Sequence, residues 1–131
     1  SMTFGTAFIR GILCNFLVCI AVWMAFAAKD VTGKIVGLFF PIMFFVLCGF
    51  EHSVANMYFI SAGLFASTDP SLVGQVASAN LPNLTWGNFF ASNLLPVTLG
   101  NIVGGSVMVG LVYWFVYLAG NKEKKPATAK K

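Results

Sequence analysis

The chain has 131 residues, of which 58% are hydrophobic and only 9% charged, against roughly 25% charged in an ordinary soluble domain. That balance does not suit a water-soluble fold, and the net charge of +4 comes mostly from a lysine-rich terminal tail. The composition points instead to an all-α integral membrane protein.

Taken in order, the first apolar stretch runs from Gly11 to Ala28, GILCNFLVCIAVWMAFAA, 18 residues without a charge. A helix needs roughly 20 such residues to cross a hydrocarbon core of about 30 Å, so a first span is expected at about residues 5–28. A signal peptide is the rival reading. No basic leader or small-residue cleavage site supports it, and further apolar stretches follow. The leading Ser1-Met2 reads as a cloning remnant.

The first polar break, Lys29-Asp30-Val31-Thr32-Gly33-Lys34, is short. The second, roughly Ser67 to Thr85, is rich in turn formers, and Pro70 and Pro82 oppose a helix through it. Cytoplasmic loops hold an excess of lysine and arginine. Two lysines lie in the first break and five in the tail, while 67–85 has none. This places the first break and the tail together on the cytoplasmic side of a multi-pass cell (inner) membrane protein. Residues 122–131 are expected to be a disordered basic tail beside a membrane domain over 1–121. Arg10 is the exception to the pattern, at the opposite end of the first span, as an interfacial anchor or facing an outer vestibule.

The middle segment, residues 35–66, is about 48 Å long as a helix, far more than a bilayer core. Near its centre stands GFEHSVANMY, where Glu51 and the single histidine, His52, are adjacent. An intramembrane ionisable pair is rare and costly enough to mark function. Non-helical backbone at that depth is tolerated only inside protein or along a water-filled cavity. Two half-helices, about 35–49 and 54–66, are therefore expected to meet at this motif, as in transporters that build a site from helix ends near the midplane.

The third segment, 88–119, is again too long for one span. Pro96 and the glycines at 100, 104, 105 and 110 punctuate it, so a bend or a short approach helix is expected. Gly100 and Gly104 have the small-xxx-small spacing that lets another helix approach closely. Asn101 lies between them, as helix–helix glue or as pore lining. Asn15, Asn56 and Asn101 fall on three different segments, and with Glu51 and His52 they suggest a shared polar path.

Cys14, Cys19 and Cys48 are odd in number and show no metal-type spacing with His52. Free buried thiols are expected, with no metal and no cofactor. No nucleophile, base and orienting group stand together, and no phosphate loop appears, so the chain does not read as an enzyme. The terminal lysines suit anionic lipid rather than nucleic acid.

Three ordered stretches carry a family resemblance: RGILCNFLVCIAVWMA at 10–25, FFPIMFFVLCGFEHSVANMYF at 39–59, and NLLPVTLGNIVGGSVMVGLVYW at 93–114. They resemble the C-terminal half of a formate/nitrite transporter protein, a family of pentameric channels for small monovalent anions. The resemblance implies six segments per protomer built as two inverted repeats, aquaporin-like, of which this chain has the fourth to sixth. The N-terminal half needed to complete a pore is then missing. By motif, His52 is the central pore histidine and Glu51 its neighbour. Asn15 and Asn101 resemble polar residues that hold or face the site, and Val18 and Phe45 resemble the apolar constrictions.

A bare anion crosses an apolar constriction only at high cost, so something must offset its charge at the centre. Histidine can donate a hydrogen bond while neutral or lend a proton to a weak-acid anion, and both remain open. Glu51 either stabilises a charged His52 or points away and bonds backbone at the break. Adjacent helical residues do not share a face, which favours the second. Formate leads as substrate, with nitrite and hydrosulfide behind it. The other class is a half-protein that oligomerises without conducting.

Overall fold

The computed structural model describes residues 2–73 and 81–119. The basic tail and the centre of the second polar break lie outside the described residues. All regular structure among the described residues is helical.

Helix α1 spans Phe4–Ala27, opened by Thr3, whose Oγ1 accepts from the Thr6 amide at 3.3 Å. The first polar break is spent on capping. α1 ends against an extended Ala28, and Asp30 caps α2 (Val31–Leu47), its Oδ1 accepting from the Gly33 amide at 2.8 Å. A carboxylate at a helix N-terminus satisfies an orphan donor and complements the dipole. The link is so short that α1 and α2 form an antiparallel hairpin, with Gly37 of α2 against Met24.

α2 stops where the sequence places the break. The amides of Cys48, Gly49 and Phe50 fold back onto the carbonyls of Phe44, Val46 and Phe45, each at 3.0 Å. Gly49 takes φ +63°, the left-handed conformation that lacks a penalty only for glycine. α3 then runs Ser53–Ala66. The two expected half-helices are present, with α2 starting four residues earlier than 35 because Asp30 caps it.

A short α4 (Pro70–Val73) follows Asp69, whose Oδ1 takes the amide and hydroxyl of Ser71 at 2.9 and 2.7 Å. These bonds hold the exposed Asp69 carboxyl below its ordinary range. After a single 3₁₀ turn, Leu81–Asn83, the chain enters α5, Trp86–Leu118, 33 residues long.

α5 departs from the sequence expectation. No break or separate approach helix occurs at Pro96; Asn88, Leu94 and Leu95 all keep right-handed helical dihedrals. The winding widens instead to π turns over Phe89–Leu94, where the Leu95 amide reaches the Phe90 carbonyl. Proline has no N–H to donate and its ring crowds the preceding turn, and the wider winding accommodates it without a break; the same widening recurs over Val103–Leu111 and Trp114–Leu118, where no proline stands.

α1 and α5 pack in parallel: Gly11 meets Gly100, Ile12 meets Gly104, and Trp23 meets Tyr113 with ring centroids 4.3 Å apart. The α1 stripe buried in this contact is small, Ala7, Gly11, Cys14 and Ala21. It faces Pro96, Val97, Gly100, Asn101 and Gly104 on α5. Large apolar side chains point outward, with Phe26 79% and Leu47 74% exposed. A core of small residues inside an apolar exterior is the arrangement expected in lipid, where close packing rather than water exclusion joins helices. α1 and α5 are each long and apolar enough to cross a membrane, and α2 and α3 are shorter apolar helices.

Candidate functional site: the helix break at Gly49–His52

The break is clamped from two sides. On one, α1 supplies Arg10: its Nη1 donates to the Gly49 carbonyl at 3.4 Å, and its own carbonyl accepts from the Glu51 amide at 3.4 Å. On the other, α5 supplies Asn101, which is 6% exposed. Its Oδ1 accepts from both the amide and the hydroxyl of Ser53, each at 3.0 Å. Its Nδ2 donates to the carbonyls of Gly11 at 2.8 Å and Glu51 at 3.1 Å. One carboxamide thus ties α1, the break, α3 and α5 together. An interrupted helix leaves backbone groups without intrahelical partners, and these two residues take up several of them.

Asn15 joins the same network, donating from Nδ2 to the main-chain carbonyl of Asn101 at 2.7 Å. The sequence left Asn101 open between glue and pore lining. The structure places it in a buried helix–helix role, and Asn15 beside it in the same kind of bond. Asn56 lies on α3 and donates from Nδ2 to the Glu51 carboxylate at 2.5 Å and to Asn93 Oδ1 at 2.8 Å. Asn93 in turn donates to Glu51 Oε2 at 3.2 Å.

The Glu51 carboxylate takes its hydrogen bonds neither from His52 nor from backbone at the break. It is held by the side-chain amides of Asn56 and Asn93. The reason is geometric: the break's amides are already committed to α2 carbonyls, Arg10 and Asn101, and the two asparagines face each other across α3 and α5. Among the described residues no buried side-chain nitrogen or oxygen lacks a partner.

His52 is the N-cap of α3. Its Nδ1 accepts from the Ala55 amide at 3.3 Å. An accepting Nδ1 is unprotonated, so the ring is assigned as the Nε2–H tautomer, with one N–H left to donate. The Phe45 ring lies beside it, centroids 6.1 Å apart. Val18 stands apart from this pair, lining a hollow of about 290 Å³ between α1 and α5 with Cys19, Trp23 and Tyr113. Cys14 is buried as expected, but Cys48 is exposed, because it falls in the turn that ends α2. No group of three metal-ligating side chains is gathered among the described residues.

Ser53 and Asn93 are the members that sequence reading did not place, and Arg10 is one it read as an interfacial anchor or as facing an outer vestibule. Asn93 carries the same signal as the three asparagines singled out, an amide in an apolar helix. Arg10 falls not at the margin of its span but against the break.

The chain is similar to proteins already known. The chain is 50% identical over 118 residues to a probable formate transporter of Methanothermobacter thermautotrophicus, covering 90% of this chain and 38% of that protein. It is 44% identical over 123 residues to the formate channel FocA of Escherichia coli K12, covering 91% and 43% respectively. Among solved structures, a pentameric formate channel with formate bound superposes with a TM-score of 0.77 at 45% identity, over 89% of this chain and 48% of that one. An FNT family ion channel gives 0.70 at 33% identity, over 88% and 41%. The chain spans less than half the length of each of these relatives. The family model described as formate/nitrite transporter matches residues 1–115, and on that match the chain belongs to the formate/nitrite transporter family.

Proposed function

We propose that this chain supplies one half of a transmembrane channel for small monovalent anions, formate first, with the break at Gly49–His52 at its centre. The observation that carries the reading is the His52 cap. With Nδ1 committed to the Ala55 amide, the neutral ring offers its Nε2–H as a donor. Beside it begins α3, whose first turn contains no acidic residue. The positive end of that helix and its orphan amides favour an anion at the same place. An imidazolium would carry a proton on Nδ1 and forfeit the cap. The cap therefore favours hydrogen-bond donation to the passing anion over loan of a proton.

In this reading Phe45, packed beside His52, and Val18, farther along α1, are the apolar constrictions. Asn15, Asn101, Asn56 and Glu51 hold the break in shape. α1, the α2–α3 pair and α5 are three membrane segments, corresponding to the second of two inverted repeats, and an N-terminal half completes the pore. The assembly is a homopentamer in the cell (inner) membrane with the lysine tail in the cytoplasm. Formate is preferred because the formate channels and transporter matched above carry that name; nitrite and hydrosulfide share its size and charge.

The test is flux of formate, nitrite and hydrosulfide into proteoliposomes containing the complete protein. Formate flux that His52→Ala reduces strongly, with the oligomer intact, supports the reading. Equal flux in both proteins removes His52 from the path, and no flux in either, despite correct insertion, leaves the non-conducting alternative.

A further inference from the structure

We propose that Arg10 is an electrostatic positioning residue: its guanidinium, held on the Gly49 carbonyl, offsets the negative end of α2 where that end faces the anion's path. This rests on the channel reading above.

Two helix ends meet at the break with opposite polarity. α2 ends there after 17 residues, and its C-terminus carries the equivalent of roughly half a negative charge. α3 begins there, and its N-terminus carries the matching positive end. For an anion beside His52 the second attracts and the first repels. Helices commonly place a lysine or arginine in the last turn to complement their own C-terminus, but α2 has no basic residue in its last turn. The cation comes instead from α1, 39 residues away in sequence, through the bond from Arg10 Nη1 to the Gly49 carbonyl.

The charge count at the break agrees. Between Met2 and Ala28, and again between Ile35 and Thr68, Arg10 and Glu51 are the only charged side chains. With Arg10 present they sum to zero. Without it the region carries the Glu51 carboxylate and the α2 terminus together, both negative. Glu51 is itself engaged by two neutral amides, Asn56 and Asn93, which orient the carboxylate without removing its charge. No comparable helix end opposes α3, whose first turn is free of acidic residues. With Arg10 on the α2 end, the one negative group left beside the α3 terminus is the Glu51 carboxylate, which is turned onto Asn56 and Asn93.

An arginine in an apolar span is otherwise a liability. Its Nη1 is shared between the Met2 Sδ at 3.5 Å and the Gly49 carbonyl at 3.4 Å, so the guanidinium lies between the start of α1 and the break, within reach of the α2 end. Its Gly49 contact is a backbone carbonyl, so the effect acts through α2 and requires no direct contact with the anion.

The experiment compares the complete protein, both halves present, with Arg10→Lys, Arg10→Gln and Arg10→Met in proteoliposomes. Formate flux is measured against formate concentration, with formamide permeation as a neutral probe of similar size. Lysine keeps the charge, glutamine keeps a donor without the charge, and methionine keeps neither. The expected result is that Lys stays within about twofold of the parent, while Gln and Met raise the half-saturating formate concentration about tenfold, with maximal flux and formamide permeation little changed. Glutamine equal to the parent would show that the hydrogen bond alone suffices and would overturn the proposal. So would loss of formamide and formate permeation in parallel, which marks a collapsed break. If the parent protein carries no formate, the channel reading fails and this inference falls with it; if the parent conducts and Gln matches it, this inference fails alone.

Discussion

A single oxygen, Asn101 Oδ1, accepts both the backbone N–H and the hydroxyl of Ser53, each at 3.0 Å, across 48 residues of sequence. The same carboxamide spends its two N–H groups on the Gly11 and Glu51 carbonyls. Asn101→Leu removes four bonds from a buried site and strands groups at the first turn of α3. Each stranded buried group costs about 1–3 kcal/mol, so a loss of roughly 3–5 kcal/mol is expected after partial relaxation. Asn101→Asp keeps the acceptor but sets a carboxylate against two carbonyls, and is expected to destabilise nearly as much. Thermal unfolding in detergent, read by far-UV circular dichroism, checks both.

The glycines of α5 are expected to separate into two groups. A Cβ on Gly100 would overlap the Phe8 carbonyl oxygen, and one on Gly104 the Ile12 carbonyl oxygen; both are backbone atoms of α1 that cannot swing aside. Alanine at either position is expected to cost about 1–3 kcal/mol, as overpacking does. Gly110→Ala meets nothing nearer than 3.5 Å and is expected to be neutral or slightly stabilising through helix propensity. Gly49→Ala has open space around the new methyl, yet its φ of +63° makes the change costly by about 1 kcal/mol. Comparing the four midpoints distinguishes steric from conformational demand.

His52 is expected to show two separable duties. His52→Asp retains an N-cap acceptor, a residue type favoured at that position, but offers no donor and adds a negative charge. The variant is expected to fold with a midpoint close to the parent and to lose anion flux. His52→Ala loses both duties, and the missing cap costs about 1 kcal/mol in addition. Nitrogen-15 resonances of the parent imidazole are expected to report an unprotonated Nδ1 and a protonated Nε2, the assignment the Ala55 bond requires.

Asn56 and Asn93 both donate to Glu51 and also bond each other. Three groups sharing bonds in one site are not additive. Asn56→Ala and Asn93→Ala are each expected to cost about 1–2 kcal/mol, and the double variant less than their sum by about 0.5–1 kcal/mol. Glu51→Gln keeps an acceptor for both amides and is expected to preserve the fold while removing the charge. A sum that is strictly additive would show that the three side chains act independently.

Much of this architecture is written in the composition. A 32-residue apolar run with Glu51 and His52 at its centre is too long for one span and too polar for lipid, and the break lies there. Gly100 and Gly104 announced a close helix approach and make one, against α1. Other features depend on which residues meet in space. Pro96 reads as an interruption, yet the helix continues through it. Arg10 reads as an interfacial anchor or as facing an outer vestibule, because nothing local indicates that the second turn of α1 sits level with Gly49. Asn101 stayed ambiguous for the same reason: glue and pore lining look alike until the partner groups of Ser53, Gly11 and Glu51 are known.

The separation of the clamp's two halves also sets an order of events during synthesis. Arg10 and Asn15 leave the ribosome before the break does, but Asn101 follows Ser53 by 48 residues, which at ordinary elongation rates is a delay of about 2–10 s. Throughout that interval the first turn of α3 and the Glu51 carbonyl lack their eventual partner. For those seconds the break is incomplete. Chains that terminate before α5 lack the Asn101 carboxamide altogether, and with it the partner of Ser53 and of the Glu51 carbonyl.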